Sequence, residues 1–86
     1  QIQYHGQILQ LTRYEYRLLF LLIQHPEQVF SRQQLMDHIW EHPEHSLERT
    51  VDTHIKSLRQ KLKQITPDDD PIRTHRGFGY SLVKLG

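Results

Sequence analysis

The chain has 86 residues, with 11 Lys and Arg against 10 Asp and Glu, seven His and a formal net charge of +1. A chain this short builds one thin core, so two-domain clefts and large catalytic pockets are not expected, and the even charge balance leaves any basic footprint local. It has no cysteine, which excludes disulfides and thiolate metal sites, and its longest apolar run, the six residues Leu18 to Ile23, is far short of the roughly 20 that a membrane span needs.

The opening, Gln1-Ile2-Gln3-Tyr4-His5, has neither a basic nor an apolar targeting region and no initiating Met, so residues 1–86 are expected to be one domain of something longer. Ile2 and Tyr4 alternate with polar residues, His5-Gly6 offers a turn, and Ile8 to Leu11 resumes as a second strand. Thr12-Arg13-Tyr14-Glu15 is a capping box. The helix behind it carries Tyr16, Leu19, Phe20 and Ile23 at helical spacing, widened by Leu18 and Leu22, and His25-Pro26 ends it. Val29-Phe30 is a short apolar link. Ser31 to Gln34 caps a second helix of about ten residues, with Leu35, Met36, Ile39 and Trp40 on its apolar face. Glu41 to His45 breaks the pattern, and Ser46 is placed to cap a third helix running to about Gln64, with Val51, Ile55, Leu58 and Leu62 on one narrow face. After the loop Thr66 to Pro71, Ile72–His75 and Tyr80–Val83 read as strands joined by Arg76-Gly77-Phe78-Gly79. The order β-β-α-α-α-β-β describes an α+β winged helix-turn-helix. It has a three-helix core, a short N-terminal antiparallel ribbon and a C-terminal β-hairpin wing.

The third helix concentrates positive charge. From Ser46 to Gln64 there are five basic residues (Arg49, Lys56, Arg59, Lys61, Lys63) and two acidic ones (Glu48, Asp52), so the rest of the chain sums to −2. Opposite its apolar face lie Arg49, Thr53, Lys56, Ser57 and Gln60, with Thr50 and Lys63 at the edges. These side chains reach phosphates and base edges, and an α-helix fits a major groove; the alternative is an ordinary solvated face. At the hairpin tip, Arg76 on a thin ribbon is suited to a narrow A·T-rich minor groove, while Gly77 and Gly79 permit a tight turn. A phosphate-binding glycine loop is not indicated, because no helix follows it.

The stretch Glu48-Arg49-Thr50-Val51-Asp52-Thr53-His54-Ile55-Lys56 to Leu62 resembles the recognition helix of the OmpR/PhoB-type response regulators. Ile72 to Tyr80 is similar to their wing, Val29 to Leu35 to the entry of their second helix, and Leu11 to Leu19 to their first. The resemblance implies the DNA-binding effector domain of a bacterial two-component transcription factor, with its receiver domain outside this chain. It implies Arg49 and Lys56 on phosphates, Thr50, Thr53 and Ser57 facing the groove floor, and Arg76 in the minor groove, with Gln60 of the same face counted among the DNA-binding residues. Trp40, Thr74, Gly77 and Tyr80 match positions near the DNA backbone. Ser57 departs from a pattern with Arg, so the guanine preference that Arg would bring does not carry over. Asp52 either accepts from a cytosine amine or orients local polar groups, and its repulsion of phosphate favours the second role. The resemblance also places Glu41, His42, Glu44 and His45 in a loop that approaches RNA polymerase. It implies a sensor histidine kinase acting through the receiver, head-to-tail pairing on direct repeats and a cytoplasmic location.

His38, His42 and His45 have ligand-like spacing, but Pro43 interrupts the helix and no fourth ligand is evident, so no metal is expected there. Asp68-Asp69-Asp70 lacks the alternation of a calcium loop. No nucleophile elbow, carboxylate pair or phosphate loop gives catalytic roles, so neither an enzyme nor a cofactor is expected, and nothing in this segment contacts a membrane. Two alternatives remain: a DNA-binding module on a membrane-anchored regulator, and a winged helix that binds protein.

Overall fold

Two capping boxes set where the first helices begin. The computed structural model describes residues 1–84 of the chain. Thr12 Oγ1 accepts the Glu15 N–H at 3.3 Å while Glu15 Oε1 accepts the Thr12 N–H at 2.9 Å, and α1 runs Arg13–Gln24. Ser31 and Gln34 repeat the exchange at 3.0 and 2.8 Å, opening α2, Arg32–Ile39. Each box satisfies two backbone donors that a helix start leaves open. Ahead of them, β1 (Gln3–Tyr4) and β2 (Gln7–Ile8) pair antiparallel across His5-Gly6. Both turn residues have positive φ, 49° and 77°, the requirement of a two-residue hairpin whose twist matches its strands. The second strand is Gln7–Ile8, earlier and shorter than the expected Ile8 to Leu11; beyond it the Leu9 N–H still donates to the Ile2 carbonyl at 3.0 Å, and Leu9 is buried.

The third helix, α3, spans Arg49–Ile65 and starts later than its sequence implied. Ser46 does not cap it. Pro43–His45 forms a 3₁₀ turn, Ser46 closes that turn, and Glu48 precedes α3 without a side-chain cap. Proline fixes φ for a tight first turn, which uses up the residues that would have extended the helix. The core is built where the helices meet: Leu18, Leu19 and Leu22 of α1, Leu35, Met36 and Ile39 of α2, and Val51, Ile55, Leu58 and Leu62 of α3. Each such side chain contributes about 1.5–3 kcal/mol by leaving water. Tyr16, Phe20 and Ile23, expected inside, are 37%, 45% and 37% exposed. The apolar arc of α1 is wider than the face its neighbours cover, so Glu15, Leu18, Leu19 and Leu22 take the contact while Tyr16 and Phe20 stack on each other outside, 5.9 Å apart.

The wing, β3 (Ile72–His75) and β4 (Gly79–Leu82), is antiparallel, with Ile72 opposite Leu82 and His75 opposite Gly79. Ile72 and Leu82 seal the core from below α3. The link after α1 does more than connect. Phe30 and Tyr80 exchange backbone hydrogen bonds of 2.8 and 2.9 Å, and the Glu27 N–H donates to the Leu82 carbonyl at 2.6 Å. Gly79 allows this approach, since a Cβ there would lie 1.9 Å from the Phe30 oxygen.

Candidate nucleic-acid interface

Four faces of α3 have four fates. One is the buried stripe. On the flank toward α1, Lys61 Nζ donates to the buried Glu15 carboxylate at 2.6 Å, and His54 packs against Tyr14 and Trp40 with centroids 5.3 and 5.7 Å away. Burial pushes the Glu15 carboxyl up, but hydrogen bonds from Lys61, from Ser57 and from the Thr12 backbone outweigh it and hold the group at about 2. Ser57 is thereby drawn to this flank, half-buried, and Thr50 shares its side.

The opposite flank holds the wing. Asp52 accepts from Arg32 Nη1 at 3.0 Å and from the Tyr80 hydroxyl at 2.5 Å, and Arg32 also pairs with Glu48 at 3.3 Å. Arg59 donates to the Ile72 carbonyl at 2.8 Å and to Thr74 Oγ1 at 2.7 Å, and lies 3.4 Å from Asp70. Burial, then the bond to Asp52, raises the Tyr80 phenol to about 12, so it stays a donor. Asp52 is thus an orienting group, joining α2, α3 and the wing around a groove of about 300 Å³ that Arg76 also lines.

The fourth face is outward. Arg49, Thr53, Lys56 and Gln60 lie within an arc of about 60° at 100° per residue, and all four are exposed. Among the described residues, Arg13, Arg32, Arg59 and Lys61 pair with carboxylates and Arg17 donates to the Ile39 carbonyl, whereas Arg49, Lys56, Lys63, Arg73, Arg76 and Lys84 pair with none. Unpaired cations therefore collect on the outer face of α3 and on the wing. The helix is less cationic than its sequence count, because Asp70 and Glu15 neutralise two of its five basic residues.

The expected site residues separate accordingly. Arg49, Thr53, Lys56, Gln60, Arg76 and Gly77 are exposed on α3 and the wing tip. Thr74 is exposed, but its hydroxyl is held by Arg59. Trp40 and Tyr80, expected near a DNA backbone, are core residues, 8% and 9% exposed. Trp40 stacks on Tyr14 at 4.5 Å, and Tyr80 is fixed by Asp52. Tyr80 lines the groove beside Arg76, whereas Trp40 lies on the opposite flank against Tyr14 and His54; large aromatic rings next to the small core are worth more inside. Phe78, which the sequence reading passed over, is 75% exposed at the wing tip beside Arg76. Its signal was available: an apolar residue between two glycines of a turn has no core to enter. In the α2–α3 turn, Glu41 pairs with Arg13 at 2.8 Å, and His42, Glu44 and His45 are exposed together. His38 stands apart against Phe30, 6.0 Å between centroids.

Three helices, an outward stripe of unpaired basic and polar side chains on the third, and a wing clamped to its flank define a winged helix-turn-helix DNA-binding domain. Residues 6–82 match the family described as "Transcriptional regulatory protein, C terminal". The chain is 57% identical over 85 residues to the transcriptional regulatory protein CreB of Escherichia coli K12, covering 99% of this chain and 37% of that protein. It is 41% identical over 80 residues to the transcriptional regulatory protein BaeR of Escherichia coli O6:H1, covering 93% and 33%. The chain spans about a third of the length of these curated relatives. Among solved structures, the DNA-binding domain of the response regulator AdeR, in complex with an intercistronic region, superposes with a TM-score of 0.79 at 37% identity, covering 91% of this chain and 80% of that one. The DNA-binding domain of Escherichia coli CadC does so at 0.81 and 32%, covering 99% and 79%. The chain belongs to this family, as the winged-helix effector domain of an OmpR/PhoB-type response regulator. It is a sequence-specific binder of double-stranded DNA and a regulatory module, not an enzyme.

Proposed function

We propose that α3 enters a major groove with Arg49 and Lys56 on phosphates, Thr53 and Gln60 at base edges, and Thr50 and Ser57 at the margin toward α1. The wing tip then enters the adjacent minor groove, Arg76 reading its potential, Phe78 lying on the sugar faces and the Gly77 backbone near phosphate. One observation supports this most: among the described residues, five of the six cations without a carboxylate or carbonyl partner, Arg49, Lys56, Lys63, Arg73 and Arg76, lie on α3 and the wing, and the sixth, Lys84, lies just past β4. In the same reading the 86-residue chain is one domain of a longer two-component regulator. A sensor histidine kinase acts on its receiver, the protein works in the cytoplasm, and copies pair head-to-tail on direct repeats. The turn bearing Glu41, His42, Glu44 and His45 faces RNA polymerase, supported by its exposure on the side of α2 away from the wing-anchored Arg32 end.

Selection of duplexes from a randomised pool tests the DNA-reading part. A motif with an A·T-rich flank is expected, and Arg76→Ala should lose preference for the flank while keeping the motif read by α3. Equal loss across all flanks would contradict the minor-groove assignment.

A further inference from the structure

The α2–α3 turn gathers three metal-ligand side chains that the DNA-binding face does not use. Pro43 breaks the α-helical spacing of the histidines, yet the 3₁₀ turn it opens aligns two of them another way. A 3₁₀ turn has three residues per turn, so side chains three apart eclipse. His42 and His45 are three apart, the His45 N–H donates to the His42 carbonyl at 3.0 Å, and their rings stack with centroids 5.5 Å apart and planes inclined by 22°. Glu44 reaches the same point, its Oε1 lying 3.6 Å from His42 Nδ1 and 3.9 Å from His45 Nε2. One ligand atom from each residue lies within 4.8 Å of the other two. These contacts are too long to be hydrogen bonds, so none of the three groups is committed to another and all are open to water.

We propose that His42, Glu44 and His45 form a binding site for one divalent transition-metal ion of the zinc, cobalt, nickel or copper type. Two imidazoles and a carboxylate are donors suited to these ions, whereas calcium and magnesium call for oxygen ligands. Around a tetrahedral ion with bonds of about 2.0–2.1 Å, neighbouring ligand atoms are about 3.3 Å apart. The gaps of 3.6 and 3.9 Å to Glu44, and the gap between the two imidazoles, which is within 4.8 Å, close by rotation of these exposed side chains. Three protein ligands leave the remaining positions to water, as in open zinc sites. His38 takes no part, since it packs on Phe30.

Titration of the purified chain with Co²⁺, read by visible absorption and followed by displacement with Zn²⁺, tests the site. One equivalent should bind with a dissociation constant below about 100 μM. His42→Ala and His45→Ala should each weaken binding at least tenfold and Glu44→Gln measurably, while His38→Ala and His5→Ala stay within twofold. All five positions are exposed, and circular dichroism melting of each variant verifies that it remains folded. The assignment is overturned by the absence of saturable uptake in that range, by uptake that survives His42→Ala and His45→Ala, or by uptake that His38→Ala abolishes.

Discussion

Lys56 and Arg59 stand three residues apart on α3 and meet opposite fates. Lys56 is exposed with no ion pair among the described residues, whereas Arg59 is spent on the Ile72 carbonyl, Thr74 and Asp70. Lys56→Ala should weaken binding to all duplexes alike and reduce the slope of log K against log salt by about one. An unchanged slope would remove the phosphate role. Arg59→Ala should instead lower the melting temperature, by the equivalent of about 1–3 kcal/mol, because it leaves a buried carbonyl without its donor. The two wing glycines divide in the same way. Gly77 has φ +79° with nothing near its missing Cβ, so Gly77→Ala costs only the left-handed backbone, about 1–2 kcal/mol. Gly79→Ala would drive a methyl into the Phe30 backbone, and thermal unfolding should show the larger loss of the pair.

At the scale of elements, the wing is held to α3 by polar side chains and to the α1–α2 link by backbone pairing. Tyr80→Phe keeps the ring in the core but removes the bond to Asp52. It should therefore cost about 1–2 kcal/mol in stability, and a looser wing should lower affinity for duplexes with an A·T flank more than for those without. A variant that kept wild-type stability and affinity would show that Asp52 does not orient the wing. The link itself carries strain at Glu27, a non-glycine residue with φ 66° whose N–H is committed to Leu82. Glu27→Gly should raise stability by up to about 1 kcal/mol, as left-handed strain relieved exceeds the added freedom of the unfolded chain.

For the whole molecule, two titrating groups set opposite limits on stability. Glu15 is held at about 2 against an ordinary 4.5, so its contribution is complete above about 4.5 and is lost as pH falls toward 2. Tyr80 is raised from 10.0 to about 12, so its contribution is complete below about 10 and is lost as pH rises through 12. Chemical denaturation across pH should show Glu15→Gln less stable at neutral pH, with the deficit shrinking in acid. A constant deficit would mean that the charge of Glu15 is not what joins α1 to α3.

The sequence by itself determined the element order, both capping boxes, the hairpin turn, the buried stripe of α3 and the family, because these follow from local spacing and from short motifs read in line. It did not determine which side chains are available to DNA. Thr12 and Glu15 announce a helix start, yet only packing shows the same Glu15 gripping Lys61 from 46 residues away. Periodicity cannot rank the two apolar edges of α1, since burial depends on how much of the arc the neighbouring helices cover. Charge counting on α3 could not see that Asp70 and Glu15 cancel two of its cations, nor that Tyr80 and Trp40 turn inward. Those outcomes rest on contacts between residues distant in the chain, and only the tertiary structure brings them together.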